Sequence, residues 1–117
     1  MPKPTNGKIC YVEIPAKDIQ KSADFYAKVF GWKIKKRGDG STAFDDPVGG
    51  VSGAWVVKRA VSTKPGMLVY IMVDSISAAT EAIVRAGGAI MREHTSEIAQ
   101  FRDPAGNILG LYQEPGN

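Results

Sequence analysis

Polar and apolar positions along the chain follow two periods. In "KDIQKSADFYAKVFGWKI" (17–34), Ile19, Ala23, Tyr26 and Val29/Phe30 recur at helical spacing and share one face. In "VDSISAATEAIVRAGGAI" (73–90), Ile76, Ala79, Ile83 and Ala86 do the same. Asp18 and Asp74 stand where an N-cap carboxylate would accept the unpaired N–H groups of each helix, although neither is followed three residues on by Glu or Gln. Gly31 and Gly87-Gly88 supply residues that tolerate positive φ where the helices must stop. The offset from Asp18 to Asp74 also separates Ala23 from Ala79, Gly31 from Gly87 and Ile34 from Ile90. The chain is therefore read as a repeat.

Outside the two helices the period shortens to that of strands. "ICYVEI" (9–14) precedes the first helix, and about "WKIKKR" (32–37), "STAF" (41–44) and "VSGAWVVK" (51–58) follow it. "MLVYIMV" (67–73) precedes the second, and about "AIMRE" (89–93), "IAQFRD" (98–103) and "NILGLYQ" (107–113) follow it. Gly-Asp-Gly and Asp-Asp-Pro-Val-Gly-Gly serve as turns in the first half. In "DPAGN" (103–107), Pro104 presets φ and Gly106 takes a left-handed position, which joins the last two strands in an antiparallel hairpin. Each half reads β-α-β-β-β, and the class is α+β. The expected organisation is one domain over 1–117, with modules at about 8–58 and 67–113 and a polar linker, "RAVSTKPG", at 59–66.

Composition narrows the function classes. The apolar content of 44% is enough for a core, and the net charge of +3 is carried by scattered Lys and Arg. The densest basic group, Lys33, Lys35, Lys36 and Arg37, is interrupted and strand-like, so no nucleic-acid partner is expected. No apolar stretch approaches the ~20 residues of a membrane span, and the N-terminal segment lacks the apolar core of a signal peptide. Cys10 is the single cysteine, which excludes an intrachain disulfide; it lies in an apolar run and is expected on the apolar side of its strand. These features suit a soluble protein of the reducing cytoplasm.

The duplicated order, together with "VEIPAKDIQKSADFYAKVFGWKI" near the start and "FRDPAGNILGLYQ" near the end, resembles the glyoxalase/bleomycin-resistance/extradiol-dioxygenase superfamily, also called vicinal oxygen chelate proteins. The likeness spans roughly 8–113. It implies two βαβββ modules whose curled sheets form a cup, often completed by a homodimer partner. In metal-dependent members the cup holds a divalent ion bound by His and Glu side chains.

Carried onto this chain residue by residue, the ligand positions hold other chemistry. The first, seven residues before Asp18, is Tyr11; the second, six before Asp74, is Leu68; the last, four beyond Gly106, is Gly110. The fourth falls on 51–58, where Ser52 and Ala54 are nearest. Leu and Gly supply no donor atom, and a neutral Tyr is a poor ligand for a divalent ion. No metal and no other cofactor is expected. His94 is the only imidazole; with Glu93 and Glu97 it invites a metal or acid–base reading, but so polar a segment reads first as a solvated hairpin.

By family analogy Tyr11 marks the cup side of its strand. Alternation then assigns to the cup Ile9, Tyr11 and Glu13 from the first strand, Leu68, Tyr70 and Met72 from the fifth, and Ile108, Gly110 and Tyr112 from the last, with Trp55 or its neighbours added from 51–58. Gly110 is read as a point of close approach by a ligand or another backbone. Glu13 is read as an acceptor for a cationic group. The lining suits a small organic molecule with an apolar or planar part. The first expectation is a glyoxalase/bleomycin-resistance-like protein that binds such a molecule without a catalytic metal. A metal-dependent lyase, isomerase or dioxygenase with a displaced site around Glu13, Tyr11 and His94 is the alternative. An accessory protein with a vestigial cup is the third.

Overall fold

The computed structural model describes residues 5–93 and 95–115, and the chain divides into two compact units between Ala60 and Val61. In the first unit, β1 (Tyr11–Pro15) leads into α1 (Ile19–Phe30), followed by β2 (Lys33–Lys36), β3 (Thr42–Asp45) and β4 (Ser52–Val56). Asp18 N-caps α1, its carboxylate accepting the Lys21 N–H at 3.1 Å, and Gly31 ends it at φ 73°. The sheet order is β1-β4-β3-β2, with β1 parallel to β4 and the other pairs antiparallel.

One face of that sheet carries α1. Phe25 and Tyr26 of the helix are buried, and the Tyr26 ring stacks on Trp32 at 4.6 Å between centroids. Trp32 stacks in turn on Phe44 at 4.4 Å, and Phe44 meets Trp55 at 4.9 Å. This aromatic cluster is the core of the unit. Phe25 is 1% exposed although the helical stripe read from sequence passes beside it.

The second unit repeats the order: β5 (Tyr70–Met72), α2 (Ile76–Arg85), β6 (Ala89–Glu93), β7 (Ile98–Arg102) and β8 (Ile108–Tyr112). Its sheet runs β5-β8-β7-β6, with β5 parallel to β8, the rest antiparallel and a bulge between Ile90 and Arg92. Neither four-stranded sheet closes into a barrel. Ile76, Ala79 and Ile83 of α2 are buried, as are Ala99, Phe101, Leu109 and Leu111 of β7 and β8.

Two local devices differ from expectation. Ser75, not Asp74, caps α2: its hydroxyl accepts the Ala78 N–H at 3.1 Å from an extended backbone. Both residue types can cap, and the side chain one position later is the one at the break in φ/ψ. The strand expected over 67–73 is also shorter, leaving Leu68 outside the ladder; only the Val69 carbonyl, which accepts the Gly110 N–H, extends the pairing on that side. The far end of α2 follows the expected Gly signal. Gly87, at φ 102°, donates to the Val84 carbonyl and Gly88 to that of Ile83, which satisfies the last turn of the helix.

The "DPAGN" hairpin is a small hydrogen-bonded knot. The Asp103 carboxylate accepts the N–H groups of Ala105, Gly106 and Asn107, and Gly106 takes φ 104°. Asn107 reaches back to accept the Ser62 N–H at 2.9 Å, and the Ser62 carbonyl accepts from Ile108. The start of the polar segment after Ala60 is thereby tied to the turn.

Candidate functional site

In each unit the helix packs on one sheet face; the opposite face, which that helix does not touch, is called the open face. Register fixes which side chains share it, because cross-strand partners point the same way. Tyr11 pairs with Ser52 and Glu13 with Ala54; Ala43 pairs with Ala54, Asp45 with Ser52, and Lys33 with Asp45. The open face of the first unit therefore carries Tyr11, Glu13, Ser52, Ala54, Ala43, Asp45, Lys33 and Lys35; Ala43, Ala54, Ser52 and Asp45 on its central strands are buried, while Tyr11, Glu13, Lys33 and Lys35 on its edge strands are exposed. Tyr11 is 41% exposed and Glu13 is also exposed, whereas Ile14, on the opposite face, is buried.

Charged groups organise this face. Arg59, just beyond β4, donates from Nε to Glu13 Oε1 at 2.7 Å and from Nη2 to the same oxygen. The Arg37 guanidinium lies over the Tyr11 ring, 5.3 Å from its centroid. Lys35 pairs with Asp45, whose carboxylate also accepts the Ser52 hydroxyl. The Lys35 ammonium first, and the Ser52 hydroxyl second, hold the Asp45 carboxyl at about 2, below its ordinary 3.8. With its pKa depressed by folding, Asp45 contributes stability that is complete above the ordinary value and lost as pH falls through about 2. The urea midpoint should fall between those limits in the native protein, and Asp45→Asn should flatten that part of the profile.

Trp55 corrects the sequence reading. It pairs with Ile14, is 2% exposed and packs in the aromatic core, on the α1 face rather than with Tyr11 and Glu13. Its neighbours Ala54 and Val56 are the β4 residues of open-face parity. Cys10 is corrected as well: it precedes β1 and is exposed, and its carbonyl accepts the Ser52 N–H. A chain segment at the start of an edge strand gains pairing without gaining cover.

In the second unit Tyr70 pairs with Gly110, Met72 with Tyr112, and Gln100 with Gly110, so these residues share the open face. Tyr70 and Met72 are 47% and 63% exposed, and Leu68 is half-buried. Gly110 is buried because the Tyr70 ring lies across it. A Cβ at position 110 would stand 2.6 Å from Tyr70 Cδ2 and 2.7 Å from Cε2. The sequence reads Gly110 as a point of close approach by a ligand or another backbone; what lies over it is the Tyr70 side chain. The Glu114 carboxylate beside Tyr112 raises the pKa of that phenol, which stays neutral at physiological pH.

These residues do not fit the divalent ion of the metal-dependent proteins. Tyr11 holds a guanidinium against its ring, Leu68 has no donor, and the space over Gly110 is filled by carbon. Glu13, two residues along β1 from Tyr11, is engaged by Arg59, and Asp45 on the same face by Lys35 and Ser52. Among the described residues no three His, Cys, Asp or Glu side chains converge. His94 lies outside the described residues. Sequence reasoning missed Arg37 and Arg59. The alternation of Lys33, Lys35 and Arg37 was a signal for the first; the second needs the contact with Glu13.

The sequence model of the Glyoxalase/Bleomycin resistance protein/Dioxygenase superfamily matches residues 8–111. The chain belongs to this superfamily. A "Glyoxylase-like domain-containing protein" of Didymella fabae is 30% identical over 124 aligned positions, covering 95% of this chain and 97% of that one. Among solved structures, TnmS3, an antibiotic binding protein from Streptomyces sp. CB03234, superposes with a TM-score of 0.69 at 23% identity, covering 95% of this chain and 98% of the other. A glyoxalase/bleomycin resistance protein from Albidiferax ferrireducens T118 gives 0.72 at 18% identity, with 92% and 98% covered. A glyoxalase-related enzyme from Fulvimarina pelagi gives 0.70 at 22%, with 93% and 89% covered. At these identities the structural matches establish the superfamily fold. Among the described residues no helix is long and apolar enough to cross a membrane.

Proposed function

We propose that this superfamily member binds a small organic molecule with a planar or apolar part on the open faces of its sheets, and does so without the superfamily's catalytic metal. The observation that carries this reading is the Tyr70 ring over Gly110. Where a metal-dependent relative presents a carboxylate, this chain presents an aromatic surface. Met72 and Tyr112 continue the same chemistry on that face, and Tyr11 offers an aromatic ring on the face of the first unit. TnmS3 is an antibiotic binding protein, which is in keeping with ligand capture on this fold.

The same reading takes the protein as a cytoplasmic homodimer. Met67 and Val69 are 89% and 48% exposed beside β5, which forms an edge of its sheet. Exposed apolar side chains along an unpaired edge favour a second copy over solvent. Light scattering behind size exclusion should return twice the chain mass.

Two measurements test binding. Protein purified without chelator should carry far less than one divalent metal per chain. One metal per chain would favour the lyase, isomerase or dioxygenase alternative. A thermal-shift screen of small aromatic compounds should find ligands that raise the melting temperature, since a ligand at a hundredfold its Kd adds about 2.7 kcal/mol. Tyr70→Ala should weaken such a ligand about tenfold, because stacking on an aromatic side chain contributes roughly 1 kcal/mol or more. Unchanged affinity in that variant would remove Tyr70 from the site.

A further inference from the structure

We infer that the open face of the first unit recognises a small organic carboxylate, held by the guanidinium groups of Arg37 and Arg59. This rests on the reading above that the open faces bind a small organic molecule, and it reverses the expectation that Glu13 awaits a cationic ligand. Glu13 is already engaged: Arg59 spends Nε and Nη2 on a single oxygen of it. That contact fixes the guanidinium while leaving its remaining N–H groups for another acceptor. The Arg59 side chain is 63% exposed, so those donors face solvent.

Arg37 is oriented differently. The Tyr11 ring holds its guanidinium by the π-face, which consumes no N–H donor and cancels no charge. Its nearest acidic neighbour in sequence, Asp39, directs Oδ1 to the Ser41 N–H at 2.9 Å and to the Ser41 hydroxyl at 2.7 Å. Among the described residues no ion pair to Arg37 is formed. Tyr11 and Glu13 are alternate residues of one strand, about 7 Å apart. Their two guanidinium partners, Arg37 and Arg59, are thus each held by a residue of β1 on the same sheet face.

The charges on this face are unequal. Lys33, Lys35, Arg37 and Arg59 stand against Asp45, Glu13 and Asp39; Lys35 is matched by Asp45, Arg59 by Glu13, and Arg37 has only the Coulombic pull of Asp39, whose carboxylate is spent on Ser41. A carboxylate offers two coplanar oxygens, the geometry that a guanidinium fork binds through parallel hydrogen bonds. A cation would meet unmatched positive charge.

Three naphthalene probes of one shape separate the possibilities by isothermal titration: 2-naphthoate, neutral 2-naphthamide and cationic 2-naphthamidine. The naphthoate should bind about tenfold or more tightly than the amide, as expected for a charge-assisted hydrogen bond in a partly exposed site. Its affinity should fall with added sodium chloride. Arg37→Gln should remove about tenfold from the naphthoate and leave the amide unchanged. Arg37→Lys should recover only part, because an ammonium lacks the planar fork. Both variants change an exposed side chain and should keep the native circular dichroism. Equal or tighter binding of the amide or the amidine overturns the carboxylate assignment while small-molecule binding stands. Naphthoate binding that is indifferent to Arg37→Gln overturns the role of Arg37. If none of the three binds, the carboxylate assignment and the small-molecule reading of these faces fall together.

Discussion

Gly53→Ala is expected to cost about 3 kcal/mol or more of stability, the upper range for forcing an extra methyl into a packed interior. Gly53 sits in β4 between Val12 of β1 and Phe44 of β3. A Cβ there would stand 2.1 Å from the Val12 carbonyl oxygen and 2.4 Å from Phe44 Cζ. Neither can yield cheaply. The carbonyl belongs to the backbone of a paired strand, and Phe44 is wedged against Trp32 and Trp55 at 4.4 and 4.9 Å. For a chain of this size the melting temperature should drop by about 10 °C or more. Gly110→Ala is the internal control. Its added Cβ meets a ring atom at 2.6 Å, but that ring belongs to the half-exposed Tyr70, which can swing outward. Its cost should be about 1 kcal/mol or less, the low end of overpacking. Urea titrations that find the two variants equally stable would refute this account of the core.

Much of the architecture was legible because it is written in punctuation. Asp18, Gly31, Gly87 and the Asp103–Asn107 turn each act on their own few residues, so sequence alone locates them. What failed was information that only pairing supplies. The sequence offers Trp55 or its neighbours for the open face because "SGAWV" has no polar alternation to set its parity; the structure gives that parity to Ala54 and Val56 and not to Trp55. Its register opposite Ile14 decides the matter. Asp74 and Ser75 are both competent caps one residue apart, and pattern alone cannot rank them. Which residues stand at the positions counted from the resemblance, Tyr11, Leu68 and Gly110, is readable from the sequence. That the Tyr70 ring fills the place over Gly110 is not, since it depends on which residue of β5 lies opposite. The Glu13–Arg59 contact spans the whole first unit in sequence, from its first strand to just past its last, and no local pattern announces it.

Asp103→Ala is the other substitution expected to have a large effect. Asp103 is 2% exposed, and its side chain does the work of several backbone partners. Oδ1 accepts three N–H groups, from Ala105 and Gly106 at 3.0 Å and from Asn107 at 2.9 Å, while Oδ2 accepts Asn107 Nδ2 at 2.9 Å. Alanine would leave these donors without that acceptor in a turn whose Ala105 and Asn107 are buried, and would also release the Asn107 amide that holds Ser62. Each buried donor left unmade costs about 1–3 kcal/mol, and partial relaxation of the turn reduces the sum to about 3 kcal/mol. Asp103→Asn should fall between the variants. Its amide keeps one oxygen for the backbone N–H groups but sets an NH2 against Asn107 Nδ2, so donor faces donor. Hydrogen exchange gives a local readout besides global stability. In Asp103→Ala the amides of Ser62, Asn107 and Ile108 should lose protection before those in the middle of β7 and β8, because the knot fails first and the ladder afterwards. Retained protection at Ser62 and Ile108, with a loss under 1 kcal/mol, a value typical of replacing an exposed side chain, would mean that the β7–β8 ladder alone sets the hairpin.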